Sequence, residues 1–136
     1  MYRPVRTLIC DDHDLLRELV KKLLQRTPTI EVVGEAVNGK QAVHKAIVMH
    51  PDVVLMDLNM PDLNGIEATR RIKLADESIK VLILTIYLQE ELVDRCKDAG
   101  ASGYILKDMM SSLLVKAIQV IGRGGSFFVP GNRKSA

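Results

Sequence analysis

The sequence predicts a doubly wound α/β domain, a five-stranded parallel sheet with helices on both faces. Three observations carry this. Strand-like and helix-like segments alternate five times along the chain. The strand segments are short and almost continuously apolar, as in Val53-Val54-Leu55-Met56, which marks strands buried on both faces. The connections have the short lengths that α/β units use, and right-handed crossovers then place helices on each side.

Val5 to Cys10 is the first expected strand, apolar at Leu8, Ile9 and Cys10, and it runs directly into Asp11-Asp12. A helical stripe follows in Leu15, Leu16, Leu19, Val20, Leu23 and Leu24, with Pro28 beyond its end. Ile30 to Val37 reads as a second strand interrupted at Gly34. Asn38 is expected to cap the next helix, about Lys40 to Met49, with Val43, Ala46 and Ile47 inward. Pro51 ends that helix, and the Val53 strand delivers Asp57 at its carboxyl end. Pro61 lacks a ladder donor and restricts its predecessor, so the chain turns outward there. Gly65 precedes a third helix bearing Ile66, Thr69 and Ile72. Ile79 to Thr85 is the fourth strand, followed by a helix with Leu88, Leu92, Val93 and Cys96. Tyr104-Ile105-Leu106 is the fifth strand, ending at Lys107. The last helix carries Leu113, Leu114, Ala117, Ile118 and Ile121 and stops at Gly122, Gly124 and Gly125. Residues 1–125 are thus one domain, and 126–136 read as a tail or the start of a linker, with Ser126 to Pro130 a candidate docked segment.

Composition narrows the function. The chain has 136 residues, enough for one domain with a real core, and 47% of them are hydrophobic. Aromatics are only 4% and Trp is absent, so the core is expected to be aliphatic. A net charge of +2 does not point to nucleic acid or an anionic membrane, so no DNA contact by this chain is expected. Cys10 and Cys96 lack metal or redox spacing, which suits reduced thiols and a cytoplasmic location. No stretch resembles a signal peptide or a membrane span.

The polar residues at the strand ends carry the chemistry. They are Asp11 and Asp12 after the first strand, Asp57 after the third, Thr85 after the fourth and Lys107 after the fifth. In a parallel sheet these ends share one edge, where ligands bind in open α/β folds. Three carboxylates crowded there repel one another unless a cation offsets them, and Mg²⁺ suits a site of carboxylates, waters and phosphate oxygens. A carboxylate beside such an ion, with a lysine nearby, is equipped to accept a phosphoryl group as an acyl phosphate. The expected roles follow. Asp57 is the nucleophile, and Asp11, Asp12, Asp57 and the Asn59 main-chain carbonyl face the metal. Lys107 and the Thr85 hydroxyl meet phosphoryl oxygens. Taken singly, Asp11-Asp12 is a cap pair for a helix and Lys107 a solvated loop lysine. His13, His44 and His50 form no ligand pattern, and His13 is expected near the site but facing water. Tyr87 lies at the site's rim. Met49, Met109 and Met110 read as core filler.

Asp11-Asp12, Asp57-Leu58-Asn59-Met60-Pro61 with Asn64-Gly65, Leu84-Thr85, and Ala99 to Tyr104 with Leu106-Lys107 resemble the receiver domain of bacterial two-component response regulators. The match covers roughly residues 5–125. Leu106-Lys107-Asp108 and Gly124-Gly125 resemble the branch with a C-terminal helix-turn-helix output domain that binds DNA. The resemblance implies a flavodoxin-like strand order, 2-1-3-4-5. It implies phosphorylation by a sensor histidine kinase, and a switch at Thr85 and Tyr104 in which the tyrosine swings inward. Read from the residues alone, Tyr104 is a half-buried strand tyrosine. The switched face, formed by the fourth and fifth helices, would be read by an output domain or a second copy. No output domain follows residue 136, so the expected alternatives are a regulator of one domain, a stand-alone phosphoacceptor or phosphorelay protein, and a chain cut in a linker. The basic, glycine-bearing end favours the cut chain. At position 108 many such domains carry proline, where a cis peptide is cheap; with Asp108 it costs about 2.5–4 kcal/mol.

Two other classes compete. Phosphatases resembling the haloacid dehalogenase group also use an aspartyl phosphate but prefer a second aspartate two residues on. Here that residue is Asn59, which cannot transfer protons, so turnover of a small-molecule substrate is not expected. A flavin carrier of the same topology needs a phosphate-cradling loop where this chain places Asp11 and Asp12.

Overall fold

A computed structural model describes residues 3–129. Its elements are β1 (Val5–Cys10), α1 (Asp14–Gln25), β2 (Ile30–Ala36), α2 (Gly39–Met49), β3 (Val53–Met56) and α3 (Gly65–Ala75). Then come β4 (Lys80–Thr85), α4 (Glu90–Ala99), β5 (Gly103–Leu106), a 3-10 turn (Lys107–Met109), α5 (Met110–Gly122) and β6 (Phe127–Phe128). Every pairing is parallel, in the order β2-β1-β3-β4-β5-β6. The expected order 2-1-3-4-5 is present, with a short strand added at one edge. Phe127 N–H donates to the Ser102 carbonyl and Val129 N–H to that of Tyr104, which holds this segment along β5. Residues 130–136 of the expected tail, and with them the end of the candidate docked segment, lie outside the described residues.

The two-sided burial expected of the central strands follows from their period of two. In β3, Val54 and Met56 pack with Ala42 and Ala46 of α2, Ile66 and Ile72 of α3 and Cys96 of α4. Val53 and Leu55 pack on the other face with Val20 and Leu24 of α1 and Leu114, Ile118 and Ile121 of α5. Each fully buried aliphatic side chain contributes about 1.5–3 kcal/mol relative to exposure, so this two-faced layer is what fixes the strand register.

The helix faces differ from expectation in places. In α1, Val20 and Leu24 are buried, but Leu15 and Leu19 are 75% and 47% exposed. Six apolar residues over ten positions span more than one stripe, and a helix lying on a sheet buries only one. Ile47 of α2 is likewise exposed, because the small Ala42 and Ala46 make the close contact with the sheet. Leu88 precedes α4 and is exposed; Leu92, Val93 and Cys96 do the packing. Gly34 does not interrupt β2. The strand runs through it with a shift of register opposite Thr7 and Leu8. Asn38 caps α2 as expected, its Oδ1 accepting from Gln41 N–H at 2.8 Å, and Asn64 caps α3 through Glu67 N–H at 2.9 Å.

Candidate functional site

The carboxyl ends of β1, β3, β4 and β5 share one edge of the sheet, and the backbone there holds the side chains in place. Asp57 N–H still bonds the Cys10 carbonyl at 3.0 Å, so the residue is the last one tied to the ladder. The loop after it returns tightly. A Cβ on Gly65 would lie 2.2 Å from the Asp57 carbonyl oxygen, so only glycine lets α3 start against this backbone. Gly65 N–H donates to the Leu58 carbonyl at 3.0 Å, closing the loop. Asp11 N–H donates to the Ala36 carbonyl of β2, also at 3.0 Å.

Asp11 and Asp57 are both 3% exposed, while Asp12 is exposed. Lys107 Nζ lies 3.0 Å from Asp11 Oδ2 and 3.3 Å from Asp57 Oδ1, so β5 sets one cation against two buried carboxylates. Burial, and after it the charge of Asp11, pushes the Asp57 carboxyl above its usual range, against the pull of Lys107 and the Asn59 main-chain amide. Among the described residues Asp57 Oδ2 has no hydrogen-bond partner, and Asp11 Oδ2 meets Lys107 only as an ion pair. Unpartnered buried carboxylate oxygens are costly, and they need a group to coordinate.

Donor atoms of Asp11, Asp12, His13 and Asp57 all lie within 4.8 Å of one another. Two buried carboxylate oxygens without hydrogen bonds, one of them ion-paired to Lys107, and an exposed third carboxylate form a hard-oxygen set that fits Mg²⁺. Asn59 lies exposed in the loop just past Asp57. His13 is exposed as expected, yet its Nδ1 sits 2.9 Å from Asp11 Oδ1 and 3.2 Å from Asp12 Oδ1. The hydrogen bond to Asp11, then the charges of Asp12 and Asp11, hold the imidazole above its usual range. The sequence places His13 near the site and facing water, but its pairing with Asp11 and Asp12 is a contact that the sequence pattern does not show. His13 is also the cap residue of α1, which begins at Asp14, so Asp11 and Asp12 lie before the helix. His50 is elsewhere, 3.2 Å from Asp76.

Thr85 ends β4 as a buried residue, and its Oγ1 accepts from Tyr87 N–H at 3.3 Å. Tyr104 is fully buried rather than half-buried, and its hydroxyl donates to the Tyr87 carbonyl. Burial, with a smaller push from Cys96, raises its phenol to about 12. Tyr87 itself is partly exposed and lines a cavity of about 290 Å³ with Asn59, Asn64, Gln89, Leu92 and Arg95. Thr85 and Tyr104 are thus joined to each other through Tyr87.

A parallel sheet of this order, with a buried aspartate and a lysine brought together at its strand ends, defines a doubly wound α/β domain with a charged site at one sheet edge, and comparison with known proteins specifies the family. The family model for the response regulator receiver domain matches residues 7–119, and the chain belongs to that family. It is 42% identical over 126 residues to the transcriptional regulatory protein DegU of Brevibacillus brevis, covering 93% of this chain and 53% of that protein. Among solved structures it is similar to a two-component response regulator of the LuxR family from Aurantimonas sp. SI85-9A1, with a TM-score of 0.89 and 36% identity, covering 93% of this chain and 91% of that one. It is also similar to the signal receiver domain of the putative response regulator NarL from Mycobacterium tuberculosis, with a TM-score of 0.86 and 31% identity, covering 90% and 98%. The chain spans about half the length of the curated DegU it matches. Among the described residues, no helix is long and apolar enough to cross a membrane.

Proposed function

We propose that this chain is a phosphorylation switch of a two-component system, taking a phosphoryl group from a sensor histidine kinase onto Asp57. The supporting observation is the buried Asp57 carboxylate, with Oδ2 unpartnered and Oδ1 beside Lys107, set within 4.8 Å of the Asp11 and Asp12 donors. Asp11, Asp12, Asp57 and the Asn59 main-chain carbonyl would hold Mg²⁺, which supplies charge neutralisation for the incoming phosphoryl group. The chain's own residues do the rest. Asp57 attacks phosphorus through a carboxylate oxygen, the bond to the donor's leaving group breaks, and an acyl phosphate results. Lys107 stays paired with the acidic cluster and takes a phosphoryl oxygen as its new partner. The surrounding strands exclude bulk water from Asp57, so the group persists long enough to signal.

The Thr85 hydroxyl turns toward the phosphoryl group, drawing the loop of Ile86 to Gln89 with it. The face of α4, β5 and α5 then changes, and an output domain or a second copy reads it. The unmatched half of DegU motivates the output domain, with the chain beyond β6 as the start of a connection to it. On this reading the chain is cytoplasmic, makes no DNA contact itself, and is no enzyme beyond its own phosphorylation and dephosphorylation.

The test is incubation with a small acyl phosphate, with Mg²⁺ or with excess chelator. Phosphorylated protein should accumulate only with the metal, and Asp12→Ala should need far more metal to reach the same extent. Equal phosphorylation in chelator would overturn the reading.

A further inference from the structure

Asp11 is held from outside the carboxylate cluster. Arg17 of α1 is nearly buried, and its Nη1 donates to the Asp11 main-chain carbonyl at 2.8 Å. Its Nε donates to Glu35 Oε1 at 2.9 Å, and Glu35 Oε2 also accepts from Lys21 Nζ at 2.9 Å. Arg17 is paired with Asp14 as well. Since Asp11 N–H is bonded to Ala36, both peptide groups flanking the Asp11 side chain are tied to β2, one directly and one through Arg17 and Glu35.

The cluster needs such a restraint. Its carboxylates repel one another, and Asp11 Oδ2 makes no hydrogen bond and meets only the Lys107 ammonium, which it shares with Asp57. Without a tether the strand end relaxes outward to hydrate that oxygen, and the ordering must then be repeated each time a cation binds. Charge-assisted bonds from a planar guanidinium supply a rigid tether, because the fork reaches the carbonyl and the carboxylate at once.

We propose that Arg17, fixed by Glu35, is a positioning residue that holds Asp11 ready for the divalent cation. This rests on the metal-binding reading above. It makes Glu35, on β2 and outside the set of metal donors, a determinant of metal affinity. A pair that only staples α1 to β2 changes stability and leaves the affinity alone.

The experiment is a Mg²⁺ titration followed by amide chemical shifts, without phosphodonor, on the parent chain and on Arg17→Gln, Arg17→Lys and Glu35→Gln. Arg17→Gln should weaken binding by about tenfold or more, as loss of a residue supporting a metal ligand does. Glu35→Gln should weaken it in the same direction, and Arg17→Lys should fall between parent and Arg17→Gln, since an ammonium lacks the fork. In phosphorylation assays the half-saturating Mg²⁺ should rise while the rate at saturating metal stays close to the parent's. Should Arg17→Gln fail to fold, Glu35→Gln, at a partly exposed site, still decides the matter. A folded Glu35→Gln or Arg17→Gln that binds Mg²⁺ with the parent's affinity would overturn the positioning role. A parent chain that binds no Mg²⁺ would instead remove the reading of the site on which it rests.

Discussion

The buried hydroxyl of Tyr104 donates a hydrogen bond to the main-chain carbonyl of Tyr87, whose own N–H donates to Thr85 Oγ1. One peptide segment between β4 and α4 is therefore tied to the end of β4 and to β5 together. A Thr85 hydroxyl that turns toward Asp57 gives up the Tyr87 N–H, and the segment must move or leave that donor without its partner. On the proposed reading this segment would be the two-state element that a signalling switch requires.

Thr85→Ala should accept a phosphoryl group at Asp57 nearly as well as the parent, since the proposed acceptor, Lys107 and the proposed metal ligands are intact. The change should not spread. Amide shifts induced by a phosphoryl mimic across Leu88–Leu106 should be much smaller than in the parent, and shifts of equal size would sink the coupling.

Tyr104→Phe removes the hydroxyl and keeps the ring that packs against Cys96 and Leu106. The loss should cost about 1 kcal/mol in denaturant unfolding, the net value of one hydrogen bond. Hydrogen exchange should quicken at Tyr87 and Leu88 specifically. Unchanged protection there would mean the tie to Tyr104 does not hold the loop.

Asp57→Asn should stabilise the metal-free protein at neutral pH. Burial and Asp11 raise the Asp57 carboxyl in the folded state, so the folded protein holds that proton more tightly than the unfolded chain does. The cost of ionising Asp57 is absent below the unfolded value, about pH 3.9, and grows as pH rises through the folded one. In chelator at pH 7 the variant's Tm should rise, by about 4 °C for each kcal/mol relieved, and the gain should vanish towards pH 4. A gain independent of pH would assign the effect to something other than this carboxylate.

Gly65→Ala should be more damaging than an ordinary helix-start substitution. The added methyl meets the Asp57 carbonyl, so either α3 or the strand end must shift. Stability should fall by about 1–3 kcal/mol, as in other overpacked sites, and phosphorylation should slow as Asp57 is displaced. Denaturant midpoints and phosphorylation rates measure the two separately.

Much of this was legible from residue types alone. The strands could be read because apolar runs such as Val53 to Met56 admit few other placements, and strand ends are where Asp11, Asp57, Thr85 and Lys107 must fall. Gly65 could be read as a helix start but not as the residue that lets α3 touch Asp57, since that closeness is tertiary. Leu15 and Leu19 were misread because helical periodicity does not say which of two adjacent apolar stripes meets the sheet. The strand Phe127–Phe128 is too short to show a period. Arg17 and Glu35 are 18 positions apart, and nothing in either neighbourhood announces that they meet behind Asp11.

The most direct test of the central claim is intact mass after incubation with a small acyl phosphate and Mg²⁺, for the parent and for Asp57→Asn. The parent should gain about 80 Da, one phosphoryl group, and the variant nothing, since an amide is not a competent nucleophile here. A stoichiometric gain in Asp57→Asn would place the acceptor elsewhere and contradict the account.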